Sequence, residues 1–426
     1  MRAIATQKRM LRRTPLLRLP VGCVLLLLGG CIAMKQYHLC VPECELEQGS
    51  GYRLAYIEMD DQGSFWDDRQ LALVLDQIQR NSSDRDRPRG TLVVTFVHGW
   101  KHNADPGDGN VETARRVLQR LAASEAEYRS DWREILGVYV GWRGDSVRLP
   151  LARELTFWGR KRAANQVGLG DAGRVMDELD RAVTASNETL PDDVAKSRLI
   201  VLGHSFGGAI VHNATYRIFV ERLVQTCEQC SVRGFGSLVV LLNPAFEASR
   251  FAPLHRLALQ KNFTIKEGQK PLLLVLTSRS DWATKVAFPL GRSLATLFDA
   301  YRDPTSRKGD RSALGHFEGF LSHELDPVSA ESLPLTATRG ALSRDNISTY
   351  RQEARQKLCS EEDSLVLGEV ELTRRNAAAG GCTPFLNVSV DKTIMDGHGD
   401  FYNDRVSGFI EQFVELFMES ERTAMY

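Results

Sequence analysis

The chain has 426 residues, 43% of them hydrophobic and 25% charged, and Lys+Arg and Asp+Glu both number 54, so the formal net charge is zero. Nothing here offsets phosphate charge in bulk, which excludes a basic nucleic-acid binder, and the apolar content is too high for disorder. No run of about 20 apolar residues occurs, which excludes a multi-span membrane protein and leaves a soluble globular chain.

Residues 1–18 carry Arg2, Lys8, Arg9, Arg12, Arg13 and Arg18 and no acid; an apolar run then extends from Leu19 to Leu28 and ends at Leu28-Gly29-Gly30-Cys31. A basic region, a run of about ten apolar residues and small residues before the break read as an export signal over 1–30. Leu-Gly-Gly-Cys also resembles a bacterial lipobox, whose cysteine, here Cys31, is acylated and becomes the mature N-terminus. Residues 31–50 are then a tether and 51–426 the folded body, a lipoprotein facing the periplasm. The alternative is an uncleaved single-span anchor. Both readings put the body outside the cytoplasm. Cleavage before Cys31 leaves 48 basic against 54 acidic residues, a mildly acidic balance that says little about substrate.

Beyond Cys23 and Cys31, six cysteines remain: Cys40, Cys44, Cys227, Cys230, Cys359 and Cys382. An even number in an oxidising compartment points to disulfides, with Cys359–Cys382 able to staple a late insertion. The spacings Cys40-x3-Cys44 and Cys227-x2-Cys230 also suit a four-thiolate zinc site. Connectivity is not fixed by sequence.

In chain order, Tyr52 to Met59 alternates and predicts an edge strand. Helical spacing follows over 66–80, and 81–90 is a solvated loop. Leu92–Val97 is a continuous apolar, β-branched run, the pattern of a strand covered on both faces. A helix over 110–127 leads to a second such run, Ile135–Val140. Residues 143–196 then separate two core strands as a mostly helical insertion, with a helix at 172–186. Further strands are expected at Leu199–Leu202, Leu238–Leu242, Leu272–Leu276 and, more weakly, Phe385–Val390. Helices lie at 208–223 and 404–418, the last with Phe409, Ile410, Phe413, Val414, Leu416 and Phe417 on one face. Residues 285–384 read as a long, polar, irregular insertion, of the kind that forms a lid. Strands alternating with helices mean an α/β fold with a doubly wound, mostly parallel sheet and two cap insertions.

Leu199–Leu202 runs into Gly203-His204-Ser205-Phe206-Gly207-Gly208-Ala209 and then a helix. This is G-x-S-x-G in strand–turn–helix context, where a sharp turn holds Ser205 in a strained conformation with its hydroxyl above the sheet. Glycines flank it because side chains there would clash. Elbow, strand order and spacing together resemble the α/β-hydrolase fold of bacterial serine esterases and lipases, over roughly residues 52–418. The resemblance implies the chain order Ser…Asp/Glu…His.

On that resemblance, His98-Gly99-Trp100 after the early core strand is the oxyanion loop, and the backbone N–H groups of Trp100 and Phe206 are the oxyanion donors. His98 orients the loop. Asp281, just past the Leu272–Leu276 strand, is the acid, the bland alternative being a helix N-cap. Of nine histidines, the order leaves His316, His323 and His398. His398 lies after the final strand in Met395-Asp396-Gly397-His398-Gly399-Asp400, a glycine-rich loop able to reach back over the sheet, and is the expected base; His316 is the alternative. His204 is a packed elbow residue, and Asn243-Pro244 ends a core strand. Trp100, Phe157, Trp158 and Trp282 either flank an apolar acyl pocket or pack in the core.

The expected activity is hydrolysis of a carboxylic ester, on a small-molecule or lipid substrate, through a Ser205–His398–Asp281 triad and an acyl-enzyme, with no metal or organic cofactor. A thioesterase or peptidase would use the same residues. The rival from another class is a non-catalytic envelope lipoprotein that keeps the fold as a binding scaffold.

Overall fold

The computed structural model describes residues 35–128, 132–146, 154, 156–226, 231–260, 269–328, 353–354, 356–358, 364–375 and 383–418. The expected signal, Cys31, Cys227, Cys230, Cys359 and Cys382 lie outside the described residues. Cys40 and Cys44 are joined as a disulfide, which removes these two sulfurs as thiolate ligands.

Eleven strands of the described residues make one sheet: β1 (Glu47–Gln48), β2 (Tyr52–Glu58), β3 (Thr91–Val97), β4 (Glu134–Gly141), β5 (Arg198–His204), β6 (Leu238–Leu242), β7 (Leu273–Ser278), β8 (His323–Pro327), β9 (Ser364–Leu367), β10 (Val370–Arg374) and β11 (Phe385–Val390). Their order is β1-β2-β4-β3-β5-β6-β7-β11-β8-β10-β9. From β2 to β8 every neighbouring pair is parallel. β1 at one end and the β9–β10 hairpin at the other run antiparallel. Every residue of β3, Thr-Leu-Val-Val-Thr-Phe-Val, is buried, as its unbroken apolar run requires of a strand covered on both faces.

One face is covered by α1 (Arg69–Ser83), α3 (Phe157–Leu169), α4 (Asp171–Thr189), α5 (Phe206–Gln225) and α6 (Ala248–Gln260), whose apolar residues form a single cluster with Val93, Val97, Leu199 and Val201. The other is covered by α2 (Gly109–Tyr128) and α9 (Asp404–Met418). On α9 the spacing of Phe409, Phe413 and Phe417 puts all three rings on one stripe, and all are fully buried. The protein is therefore an α/β structure with a mostly parallel sheet between helical layers. No helix among the described residues is long and apolar enough to cross a membrane.

Three expectations change. β2 is not an edge strand: it lies between β1 and β4 and is buried from Leu54 to Glu58. Its polar Glu58, which gave the sequence its alternation, is buried with its carboxylate accepting from the Tyr37 and His38 amides. Residues 143–196 supply α3 and α4, which pack in the main core cluster. The polar stretch 285–384 contains β8, β9 and β10, which lengthen the sheet beyond β11; β8, His-Glu-Leu-Asp-Pro, is too short and polar to announce itself as a strand. The same stretch holds α7 (Phe288–Ala295) and α8 (Pro304–Arg311), with one π-helical turn at Ala283–Ala287 leading into α7.

Candidate active site

The parallel strands all end at one edge of the sheet, and the side chains with reactive chemistry gather there. β5 delivers Ser205 into α5 with φ 56° and ψ −117°, a left-handed conformation that a non-glycine residue holds only when its surroundings impose it. The Ser205 amide donates to Leu242 O, and its carbonyl accepts from the Gly208 and Ala245 amides. The turn is tight because two glycines permit it. A Cβ on Gly207 would lie 2.0 Å from Val97 O, and one on Gly99 would lie 2.8 Å from Ser205 Cβ. The end of β3 and the loop after it are thus pressed directly against the serine.

His398 comes to Ser205 from the loop after β11. Its Nε2 is 2.8 Å from Ser205 Oγ and its Nδ1 is 2.8 Å from Asp281 Oδ2. Since the carboxylate can only accept, Nδ1 carries the proton and Nε2 presents its lone pair to the serine hydroxyl. Asp281, just past β7, is completely buried. Burial raises its carboxyl, but the hydrogen bond and charge of His398 and the hydroxyl and amide of Thr284 outweigh it, so its pKa lies below the ordinary value. The three residues expected from the sequence are brought together in one hydrogen-bonded line.

Several supports of this line carry no sequence signature. Thr284 Oγ1 donates to Asp281 Oδ2, and the Thr284 amide donates to Oδ1. His316 is not bonded to Ser205; its Nε2 is 3.0 Å from Thr284 Oγ1, so it meets the carboxylate through that hydroxyl. Burial lowers the His316 pKa to about 4 despite the attraction of Asp281. His323 pairs through Nε2 with Leu358 O and through Nδ1 with Ser322 Oγ, within β8 and away from the serine.

The His398 loop is fixed from below. Asn243, at φ 44°, donates from Nδ2 to Gly397 O and His398 O and accepts the Ser278 amide on Oδ1. His204 Nε2 donates to His398 O at 3.0 Å, while its ring stacks on Phe401. Ser278 Oγ donates to Met395 O and the Gly397 amide donates to Ser280 Oγ. Gly397 takes φ 78°, which favours glycine where the chain turns back. From sequence Asn243 is a strand end and His204 a packing residue; in the structure both also hold the carbonyl of His398.

His98 lies beneath the loop opposite. Its Nε2 accepts the Trp142 amide, which leaves Nδ1 to donate to Gly99 O. Burial holds its pKa at about 4, so it stays neutral and fixes the backbone ahead of Trp100. The Phe206 amide begins α5, where the first N–H groups of a helix lack intrahelical acceptors and the dipole favours negative charge. Phe157 packs against Phe206 and Trp100, with ring centroids 5.0 and 5.2 Å apart. Trp158 and Trp282 are 41% and 66% exposed and so are not core residues. A separate cleft of about 320 Å³, lined by Tyr37, Glu58, Trp66, Trp142 and Arg143 among others, opens at the β2 end of the edge and includes none of Ser205, Asp281 and His398.

A serine hydroxyl, an imidazole aimed at it and a buried carboxylate behind the imidazole are the parts that acyl transfer requires. No protein-family model matches the chain, and no curated protein does. Among solved structures it is similar to phospholipase PlaB from Legionella pneumophila in complex with thio-NAD, at 17% identity over 46% of this chain and 41% of that one, with a TM-score of 0.25. A second structure of the same phospholipase is matched at 16% identity over 55% of this chain and 46% of that one, TM-score 0.24. The chain spans less than half the length of these structures, and at such scores the likeness carries nothing about its chemistry.

Proposed function

We propose that the chain is a serine hydrolase of the α/β-hydrolase type that cleaves carboxylic esters. The observation that carries this reading is the 2.8 Å approach of His398 Nε2 to Ser205 Oγ, with Nδ1 held on buried Asp281. The strand order β2-β4-β3-β5-β6-β7-β11 and the strained serine between β5 and α5 support the fold assignment. His398 takes the Ser205 proton as Oγ attacks the acyl carbonyl, and the N–H groups of Phe206 and Trp100 bind the oxyanion. The alcohol leaves with that proton, and water, activated by the same imidazole, releases the acid. Asp281 holds the tautomer throughout. The aromatic wall of Phe157, Trp100 and Phe206 suits an apolar acyl group. An oxidising envelope compartment, with Cys31 acylated, is part of the same proposal; the Cys40–Cys44 disulfide supports it.

Labelling by a fluorophosphonate probe tests the assignment. Wild type is expected to label, Ser205→Ala and His398→Ala are expected not to, and His316→Ala is expected to label within about ten-fold of wild type. Labelling that survives in Ser205→Ala, or an absence of labelling in wild type, overturns the reading. Acyl-chain profiling tests the apolar pocket: activity that peaks at acetate and vanishes beyond butyrate sinks it.

A further inference from the structure

α7 and the π-helical turn before it are inverted relative to a helix on a globular surface. Arg292 points inward, its Nε 3.1 Å from buried Glu247 and its Nη2 2.7 Å from Asp310, which also accepts from Tyr301. Thr284, Phe288 and Thr296 are buried on the same side. Facing out are Trp282, Val286, Leu290 and Leu294, spaced by four residues, and then Leu297 and Phe298, the last 99% exposed. No carboxylate occurs between Trp282 and Phe298. The polar pins present an apolar row that stays exposed among the described residues.

We infer that this row, 282–298, docks on the surface of a lipid bilayer and turns the Ser205 site toward it; the substrate class it adds to the proposed activity, an acyl ester presented from the membrane, rests on that proposal. Three observations favour lipid over another occupant. Tryptophan and phenylalanine tipping a leucine-rich face, with a lysine and no acid within the row itself (Asp281 and Asp299 bracket it), are what an interfacial helix needs. The row continues to the site: Trp158 lies against α7 at Gly291, its ring centroid is 5.1 Å from that of Phe157, and Phe157 touches Phe206. The chain also enters on this edge. Tyr37 and His38 are bonded to Glu58 at the end of β2, the same end of the sheet from which Ser205 and Asp281 emerge. β2 and β7 are five strand spacings apart in the sheet order, about 24 Å along the edge. Cys31 is four residues before Lys35, a reach of at most about 14 Å. The described chain therefore begins on the same edge of the sheet from which the row departs after β7.

The test uses the mature chain 31–426 with Cys31→Ser, so that neither an acyl anchor nor the apolar run 19–28 binds vesicles by itself, and sedimentation with vesicles of phosphatidylethanolamine and phosphatidylglycerol at three to one. Leu290→Ser, Leu294→Ser, Leu297→Ser and Phe298→Ser, combined, are expected to weaken partitioning at least ten-fold and to leave turnover of a water-soluble acetate ester unchanged. Vesicles with brominated acyl chains are expected to quench tryptophan fluorescence, and Trp282→Phe to remove most of that quenching. Equal partitioning of parent and combined variant overturns the inference, as does quenching that persists without Trp282. Self-association lost in the variant, with no vesicle binding by either, overturns it in favour of a second copy of the chain. Failure of the hydrolase proposal reads differently: vesicles still bind, while the soluble ester is not turned over.

Discussion

Asp281 accepts three hydrogen bonds, two on Oδ2 from His398 Nδ1 and Thr284 Oγ1 and one on Oδ1 from the Thr284 amide. The two that matter for chemistry differ in kind. The bond from His398 fixes which ring nitrogen faces Ser205, so Asp281→Asn, which can offer N–H to the ring and favour the wrong tautomer, is expected to lower kcat about 10³- to 10⁴-fold with little change in KM. The Thr284 hydroxyl only aims the carboxylate, and Thr284→Val is expected to cost about ten- to a hundred-fold in kcat, the loss of one hydrogen bond to a charged group. Steady-state kinetics on a soluble ester distinguish the two; equal losses would mean that Thr284 does more than aim. Of this group, Ser205, Asp281 and His398 were legible in the sequence because the elbow motif and chain order constrain them. Thr284, Asn243 and the second role of His204 were not, since each acts through a neighbour brought up by the fold, at a sequence distance that no local pattern records.

The elbow is an element whose sequence states its geometry almost in full. Two successive glycines follow Phe206, yet they meet different surroundings. A Cβ on Gly207 would strike backbone of the central strand, 2.0 Å from Val97 O and 2.6 Å from Val97 C, and neither atom can move without breaking β3. A Cβ on Gly208 would first meet the Pro244 ring carbon at 3.0 Å, a contact relieved by a shift of a few tenths of an ångström. Gly207→Ala is therefore expected to abolish probe labelling and lower the yield of folded protein, and Gly208→Ala to keep labelling within about five-fold. Comparable behaviour of the two would refute the close packing of β3 against the turn. Elsewhere at this scale the sequence was less informative. The phenylalanine stripe of α9 gave its helix to the residue, 404–418, because amphipathic spacing is long-range and redundant. β8 and β10 carry Glu, Asp or Arg and so lack the apolar run that betrays β3, and the apolar part of β9, Leu365–Leu367, is only three residues long.

At the scale of the whole molecule, the sequence counts nine histidines but does not say which of them the fold keeps dry. Seven have pKa values pushed down, in each case chiefly by burial. His98, His316 and His323 fall to about 4 and His212 to about 3. Their folded pKa values lie below the unfolded value of 6.5. Above pH 6.5 neither state takes the protons and the stability they represent is fully present. As pH falls from 6.5 toward 4 the unfolded chain binds protons that the folded chain refuses, and stability declines by about 1.4 kcal/mol per pH unit for each such histidine. The depressed carboxyl of Asp281 works in the same direction lower down, its contribution being lost as pH drops below the usual carboxylate range. Urea midpoints measured from pH 7.5 to 4.5 are therefore expected to fall steeply and monotonically. His212 stacks on Phe246 in the core cluster beneath the sheet and takes no part in the proposed chemistry. His212→Phe is expected to make the slope shallower by about one proton while leaving probe labelling in place. A midpoint that stays flat from pH 7 to pH 5 would mean that the buried imidazoles are charged or hydrated in the folded chain, and the dry interior that the burial of His98, His204 and Asp281 implies for the site would go with it.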